Sequence, residues 1–451
     1  MDDSETMRYI RLSDHPFARN QATASQPIHP GQVIFATLPL TTALLPSTEG
    51  QRCDNCHCLA NDRVALLKCS GCASFWYCGV NCQITHWKAH HRRICKAYNR
   101  YTISSGYQAL PVNEKVDAML LSQLLVQVFP KDDFSLPPLA GNDPLVSVFF
   151  DLLQGPTHAN IPGLCRTSKS ADVPQHIARE CFSRFGNNNF VLHSHLNTFA
   201  HGVYPLASRL FNHSCIPNCV VKYRITRGEP VKMEIVSLHE IAAGEEITIP
   251  YLDPALPYET RQNALQANYG FRCACLLCTF EKRIHPIPSL PQNTEEFAAL
   301  TKQLQTFTED EDETQDVPLM LSMPAQLYPL LNESYLPELS EQFSHSSHEG
   351  EYETALLTGR NLLALYKVLY HRNFPQIGMH ALELAKTAWN AVVTAGPDTP
   401  PSQLQRFEEQ AISSLTTARR VLQNYGPEGD EGGPLEEILV LQELLEEGRK
   451  P

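Results

Sequence analysis

The chain has 451 residues, 43% of them hydrophobic, 19% charged and 8% aromatic, a profile that fits about three folded domains and excludes disorder throughout. Its 36 basic against 49 acidic side chains give a formal net charge of -13, so nucleic acid is not the default partner. No stretch of ~18 uncharged apolar residues exists to cross a bilayer, and the acidic opening MDDSETMRYI lacks the basic, then apolar, run of a signal peptide. These features predict a protein of the cytoplasm or nucleus with no membrane partner.

Residues 1–50 read as short strands broken by turns: MRYIRL, QATASQPI, the turn His29-Pro30-Gly31, and QVIFATLPL. A Cys/His block follows to about residue 100. The runs AMLLSQLLVQVF and VSVFFDLL, within 113–158, are too long and Leu-rich for strands and predict a helical insert. Strand signals return over 180–255, with CVVKYRI and VKMEIVSL flanking the turn Thr226-Arg227-Gly228-Glu229 as a hairpin, and EEITIPYL as a further strand. The Pro-rich IHPIPSLPQ and the acidic run Glu309–Glu313 predict a linker with a mobile loop. Beyond it, 353–370, 379–394 and 404–424 each carry apolar residues at helical spacing, which predicts either stacked helix pairs or a small bundle.

Cysteine placement is more telling. Of 15 cysteines, eight lie between Cys53 and Cys95 and three between Cys273 and Cys278, and in a reducing compartment such clusters hold metal rather than disulfides. The first block runs Cys53-x2-Cys56, Cys69-x2-Cys72, Cys78-x3-Cys82, then His90, His91 and Cys95. That supplies the eight soft ligands two tetrahedral zinc ions need, in a segment too poor in apolar residues to build a core without them.

This order, with Phe75, Trp76, Tyr77 and Trp87, resembles a MYND-type zinc finger. The resemblance implies interleaved sites: Cys53, Cys56, Cys78 and Cys82 on one ion, and Cys69, Cys72, a histidine and Cys95 on the other. His91 gives the H-x3-C spacing, and its neighbour His90 is the alternative; Cys58 is left over. Residues 53–100 carry Arg63, Lys68, Lys88, Arg92, Arg93, Lys96 and Arg100 against Asp54 and Asp62, a modest basic patch. The finger type also implies proline-rich peptides as a ligand class.

A second constellation comprises Asn188-Asn189-Phe190, the run Asn212-His213-Ser214-Cys215-Ile216-Pro217-Asn218, the run Gly244-Glu245-Glu246 through Tyr251, then Tyr269, Phe271 and Cys273-x-Cys275-x2-Cys278. Together with the finger, it resembles the SET-and-MYND (SMYD-type) protein-lysine methyltransferases. The implied fold is α+β: a SET-domain β-fold split by an inserted MYND zinc finger and a helical insert, with a post-SET zinc element and an α-helical, TPR-like C-terminal domain. The corresponding boundaries are 1–50 and 181–255 for the SET parts, 51–97 for the finger, 98–180 for the insert, 256–285 for the post-SET element, 286–350 for the linker and 351–451 for the helical domain.

The implied activity is S-adenosylmethionine-dependent methylation of a lysine exposed on a protein substrate, histone or not. Tyr251 is the catalytic candidate, orienting the amine, with Tyr269 as another wall of the lysine channel. Asn188, Asn212, His213, Tyr251 and Phe271 are the implied cofactor contacts. Cys273, Cys275 and Cys278 leave a zinc ion one ligand short; the family pattern supplies Cys215, with Cys219 as runner-up, for three zinc ions in all. His193, His195 and His201 read as ordinary polar residues.

Two features depart from the family. Where its members open with a glycine-rich loop against the cofactor, residues 15–24 here contain no glycine, so side chains are expected to crowd that approach. Pro250 removes an amide donor just before Tyr251. They keep open a second reading, a catalytically weak scaffold that binds partner proteins: the enzyme stands if Arg19 or Asn20 supplies the cofactor contacts, the scaffold if the loop occludes the pocket. Whether the helical C-terminus restrains access to the site is a further question, posed as faster turnover on truncation to 1–285.

Overall fold

The computed structural model describes residues 7–16, 18–131, 134, 143–155, 161–166, 172–309, 318–430 and 432–447. Strands β1 (Ile10–Ser13) and β2 (Gln21–Ala24) form an antiparallel pair. β3 (Val33–Thr37) and β4 (Thr41–Leu44) then diverge into different sheets. The Cys/His block follows, with its short pair β5 (Leu67–Lys68) and β6 (Trp76–Tyr77). β7 (Asn189–Ser194) and β8 (Asn197–Val203) form a hairpin that adds to β4 in the order β4-β8-β7. After β9 (Asn212–His213), the hairpin β10 (Cys219–Arg224) and β11 (Lys232–Ser237) pairs with β3 in the order β10-β11-β3.

The last strand, β12 (Thr248–Ile249), is two residues long, shorter than EEITIPYL suggested, and runs parallel to β9. Pro250 has no N–H to continue a ladder, which ends it there.

Helix Val112–Val128 carries the AMLLSQLLVQV run and buries Val116, every residue from Ala118 to Val126, and Val128. A helix apolar all round is one enclosed on all sides, and this one packs on β4, the finger and helix Gln175–Phe185. It joins β-sheets, finger and insert into one continuous core.

Beyond the post-SET cysteines, helices Tyr335–His348, Tyr352–Leu369, Pro375–Val393, Pro401–Tyr425 and Pro434–Glu447 pack in succession, each on the next in chain order. The segment 286–350, read as a linker, is a correction: it forms helix Thr294–Glu309 and two 3-10 turns as well as Tyr335–His348. Asn293 caps the first of these, its Oδ1 accepting the amides of Glu295 and Glu296 at 2.9 and 3.0 Å. Of the acidic run, Asp310–Glu313 lies outside the described residues.

The helical region is built onto the sheets rather than tethered to them. Val220 and Leu238 share a small core with Tyr370, Phe374, Ile377, Val421 and Tyr425. Gly31, at φ +75, sits where an added Cβ would come 2.8 Å from the carbonyl oxygen of Asn424, so both its conformation and its clearance require glycine. The Ile225 amide donates to the Glu428 carbonyl at 2.8 Å. Arg52, at the entry to the finger, grips the Asp430 carboxylate with two nitrogens at 2.6 and 3.3 Å.

Candidate active site and metal centres

Three sets of four side chains converge: Cys53, Cys56, Cys78 and Cys82; Cys69, Cys72, His91 and Cys95; and Cys215, Cys273, Cys275 and Cys278, each with its ligand atoms within 4.8 Å of one another. Sulfur separations within the sets include 3.5 Å for Cys56–Cys78 and Cys78–Cys82, 3.8 Å for Cys69–Cys95 and 3.5 Å for Cys215–Cys278. A tetrahedral ion with bonds of about 2.3 Å spaces its ligands about 3.8 Å apart, whereas a disulfide needs about 2 Å. The donor sets therefore fit zinc, not cystine. Gly71 leaves the second set its room, since a Cβ there would lie 2.8 Å from Cys95 Sγ.

Spacing favoured His91 with His90 as the alternative, and it is His91 that stands with Cys69, Cys72 and Cys95. A single π turn, Trp87–His91, joins helices Val80–His86 and Arg92–Thr102 and shifts the helical phase by one residue. It carries His91 Nε2 to 3.3 Å from Cys69 Sγ and 3.7 Å from Cys72 Sγ. Burial pushes His91 down to about 4, which keeps it a neutral imidazole, the ligating form. His90 turns instead onto the ring of His86, 4.3 Å away. Cys58 and Cys219 are buried but belong to none of the three sets.

The parallel pairing of β9 with β12 sets Thr248 beside Asn212 and Ile249 beside His213, and so delivers Tyr251 to the NHSC segment. Asn218 clamps the two strands, accepting the Thr248 amide at 2.9 Å and donating to the Glu246 carbonyl at 2.8 Å. Asn212 Nδ2 donates to Glu246 Oε1 at 2.8 Å and to the Asn20 carbonyl at 2.9 Å, tying the N-terminal loop to the site. His213 Nδ1 accepts the Tyr251 amide at 3.0 Å. In the neutral ring the proton is then on Nε2, which faces Cys215 Sγ at 3.2 Å.

Around these strands the aromatic rings gather. Tyr251 lies 4.8 Å from Tyr269 and 5.3 Å from His213, and Phe271 lies 6.1 Å from His213, centroid to centroid. The Tyr251 hydroxyl donates to the Phe211 carbonyl at 2.7 Å. Burial, with Tyr269 and Glu246 adding to it, holds that hydroxyl well above the ordinary tyrosine value, so it stays a neutral phenol. The wall behind is fixed by Gln262, which exchanges two 3.0 Å bonds with the backbone of Cys273. Asn188 is held from the other side, donating to the Arg184 carbonyl at 2.5 Å at the end of helix Gln175–Phe185.

None of the described residues of the glycine-free loop has a positive φ, so its backbone conformation does not itself require glycine. Arg19 reaches outward to the Asp151 carbonyl at 2.9 Å. Of the two loop residues that could supply cofactor contacts in place of glycine, Arg19 is turned outward, whereas Asn20 has an Oδ1 buried beside the site with no hydrogen-bond partner. Sequence reading gave no role to Asn218 and Glu246, although both stand inside the quoted motifs. His193 and His195, read as ordinary polar residues, both face Glu428, whose carboxylate lies 3.4 Å from His193 Nδ1 and accepts the His195 amide at 2.5 Å.

A SET domain family model matches residues 21–252. The chain is 30% identical over 291 residues to "Histone-lysine N-methyltransferase ASHR1" of Arabidopsis thaliana, covering 62% of this chain and 57% of that protein. It is 25% identical over 393 residues to "Histone-lysine N-methyltransferase SMYD3" of Mus musculus, covering 81% and 85%. To "N-lysine methyltransferase SMYD2" of Mus musculus it is 27% identical over 267 residues, covering 57% of each chain. The match thus spans little over half of ASHR1 and SMYD2 and most of SMYD3.

Proposed function

Because the chain belongs to the SET-domain family, of the SMYD type with an inserted finger, we propose that it is an S-adenosylmethionine-dependent protein-lysine N-methyltransferase. The observation that carries the reading is the β9–β12 pairing, which joins Asn212, His213 and Tyr251 in one hydrogen-bonded unit walled by Tyr269 and Phe271. The residues present suit the cofactor. The unpaired Asn20 Oδ1 is an acceptor for an ammonium group, and Phe271 offers a face to a purine or a nearby cation.

When bound, S-adenosylmethionine supplies a methyl group on a positively charged sulfonium. Tyr251 and Tyr269 enclose the substrate lysine, whose amine, with a free pKa of ~10.4, loses its proton more readily in an apolar channel beside a cation. No strong base is required. Tyr251 donates its hydroxyl hydrogen bond to the Phe211 carbonyl, which leaves its oxygen lone pairs free to accept from the amine and aim it.

The three four-ligand sets would hold structural zinc, since four protein ligands leave no place for water or substrate. The set containing Cys215 would staple the post-SET segment to the NHSC strand and fix His213. At the finger, half-exposed Trp87 and exposed Val80 and Ile84 beside Lys88 are compatible with a proline-rich peptide partner. Among the described residues no helix is long and apolar enough to cross a membrane; reduced thiol clusters suit the cytoplasm or nucleus.

The test is methyl transfer. Zinc-loaded protein with methyl-labelled S-adenosylmethionine and a panel of lysine-bearing proteins should place label on lysine Nζ, located by mass spectrometry. Tyr251→Phe should slow transfer by about a hundredfold. Cofactor binding with no labelled lysine on any substrate would favour the scaffold reading instead.

A further inference from the structure

Tyr251 and Tyr269 face each other at 4.8 Å, and in the chain they are separated by loop 252–257 and helix Tyr258–Tyr269. How that loop is held sets the width of the channel between them. From within, Arg261, 1% exposed, donates to the Pro254 carbonyl at 2.9 Å and to that of Leu256, while its other arm pairs with Glu281. In the loop itself, Asp253 Oδ1 accepts the Ala255 amide at 2.9 Å.

A second hold comes from the helical region. The Tyr370 hydroxyl donates to the same Asp253 Oδ1 at 2.8 Å, across 117 residues of chain. Tyr370 directly follows helix Tyr352–Leu369, is 4% exposed, and is stacked on Phe374 at 4.7 Å with 8° between the rings. Tyr366 closes on its other side at 5.5 Å, and Ala255 packs against the same cluster. The donor is thus rigid, and the acceptor is an exposed side chain on the segment that leaves the catalytic tyrosine.

We infer that Tyr370 is a positioning residue of the methyl-transfer site: through Asp253 it fixes loop 252–257 and with it the spacing of Tyr251 and Tyr269. The inference rests on the methyltransferase reading above. Burial beside Asp253 holds the Tyr370 hydroxyl far above its ordinary value, so it remains a donor at any pH of assay. Water can replace this bond at exposed Asp253 at little cost to global stability, but water cannot fix the loop. Loss of the hydroxyl should therefore appear in rate and local order before it appears in melting temperature.

Tyr370→Phe keeps the stack on Phe374 and removes one oxygen. In the full chain, we expect the amides of 252–257 to exchange with deuterium about tenfold faster and kcat to fall about tenfold. The KM for S-adenosylmethionine and the melting temperature should stay at wild-type values. Asp253→Asn, whose Oδ1 still accepts both bonds, should keep kcat within about threefold, and Asp253→Ala should fall as far as Tyr370→Phe. An unchanged kcat in Tyr370→Phe, beside an active wild type, overturns the inference whatever the exchange shows. So does a fall in kcat matched by a lower melting temperature and faster exchange throughout the helical region, the mark of a merely structural residue. If the wild type methylates no lysine, the enzyme reading fails by itself, and unchanged exchange at 252–257 would still overturn the hold on the loop.

Discussion

Truncation after residue 285 removes the helical region, and the sequence alone left open whether this would free the active site. The structure predicts the opposite. Leu277 and Phe280 of the post-SET helix, 1% and 5% exposed, are buried in the core of the helical region, and Val220 and Leu238, 3% and 2% exposed, lie in the bridging cluster. At about 1.5–3 kcal/mol for each side chain, uncovering these four costs roughly 6–12 kcal/mol as an upper bound. That is of the order of the whole stability of a domain, about 5–15 kcal/mol. Buried Lys222 would also lose the Tyr425 carbonyl that accepts from it at 2.8 Å. We expect the 1–285 protein to lose its cooperative urea transition, release metal from the Cys215 set, and transfer methyl groups at least about tenfold more slowly. A truncated protein that unfolds at the wild-type midpoint and turns over faster would refute this reasoning.

Acidification should weaken the helical region. Burial lowers His371 to about 3 and His380 to about 4, so the unfolded chain takes up protons that the folded one refuses. Stability is full above an ordinary histidine pKa of about 6.5 and falls as pH drops toward those values, by roughly 2 kcal/mol per residue at pH 5. Urea midpoints at pH 7 and pH 5 should show it, and His380→Gln should reduce the difference by its own share, roughly 2 kcal/mol; equal midpoints would contradict it. Elemental analysis should find three zinc ions per chain, and Cys275→Ser should retain two after a chelator challenge, with the finger intact. Two in the wild type would remove one of the proposed sites. Asn20→Ala should weaken S-adenosylmethionine about tenfold by calorimetry, and wild-type affinity would take Asn20 out of the pocket.

What the sequence made legible was mostly local. Thiol spacing announces the Cys-x2-Cys pairs, which are short-range objects, whereas their interleaving and the place of Cys215 came from the family resemblance; the β10–β11 hairpin is announced by its turn. The H-x3-C spacing already favoured His91 over His90; what no spacing rule reveals is the π turn Trp87–His91 that brings it to Cys69 and Cys72. β12 is a strand only because β9 lies beside it. Helix Thr294–Glu309 was missed because it buries just Thr301, Leu304 and Thr308, too sparse a face to stand out beside prolines and acids. Least legible were the pairs that close the molecule on itself, Arg52 with Asp430 and Tyr370 with Asp253, each made by residues ordinary in their own surroundings.

The central claim is that Asn212, His213 and Tyr251 frame a pocket for S-adenosylmethionine beside a lysine channel. Calorimetric titration of the cofactor into zinc-loaded protein tests it most directly. Micromolar binding is predicted for the wild type and for Tyr251→Phe, whose hydroxyl serves transfer rather than binding. Asn212→Ala, which releases both Glu246 and the N-terminal loop, should bind at least about tenfold more weakly. Folded, zinc-loaded wild-type protein that gives no heat would contradict the account.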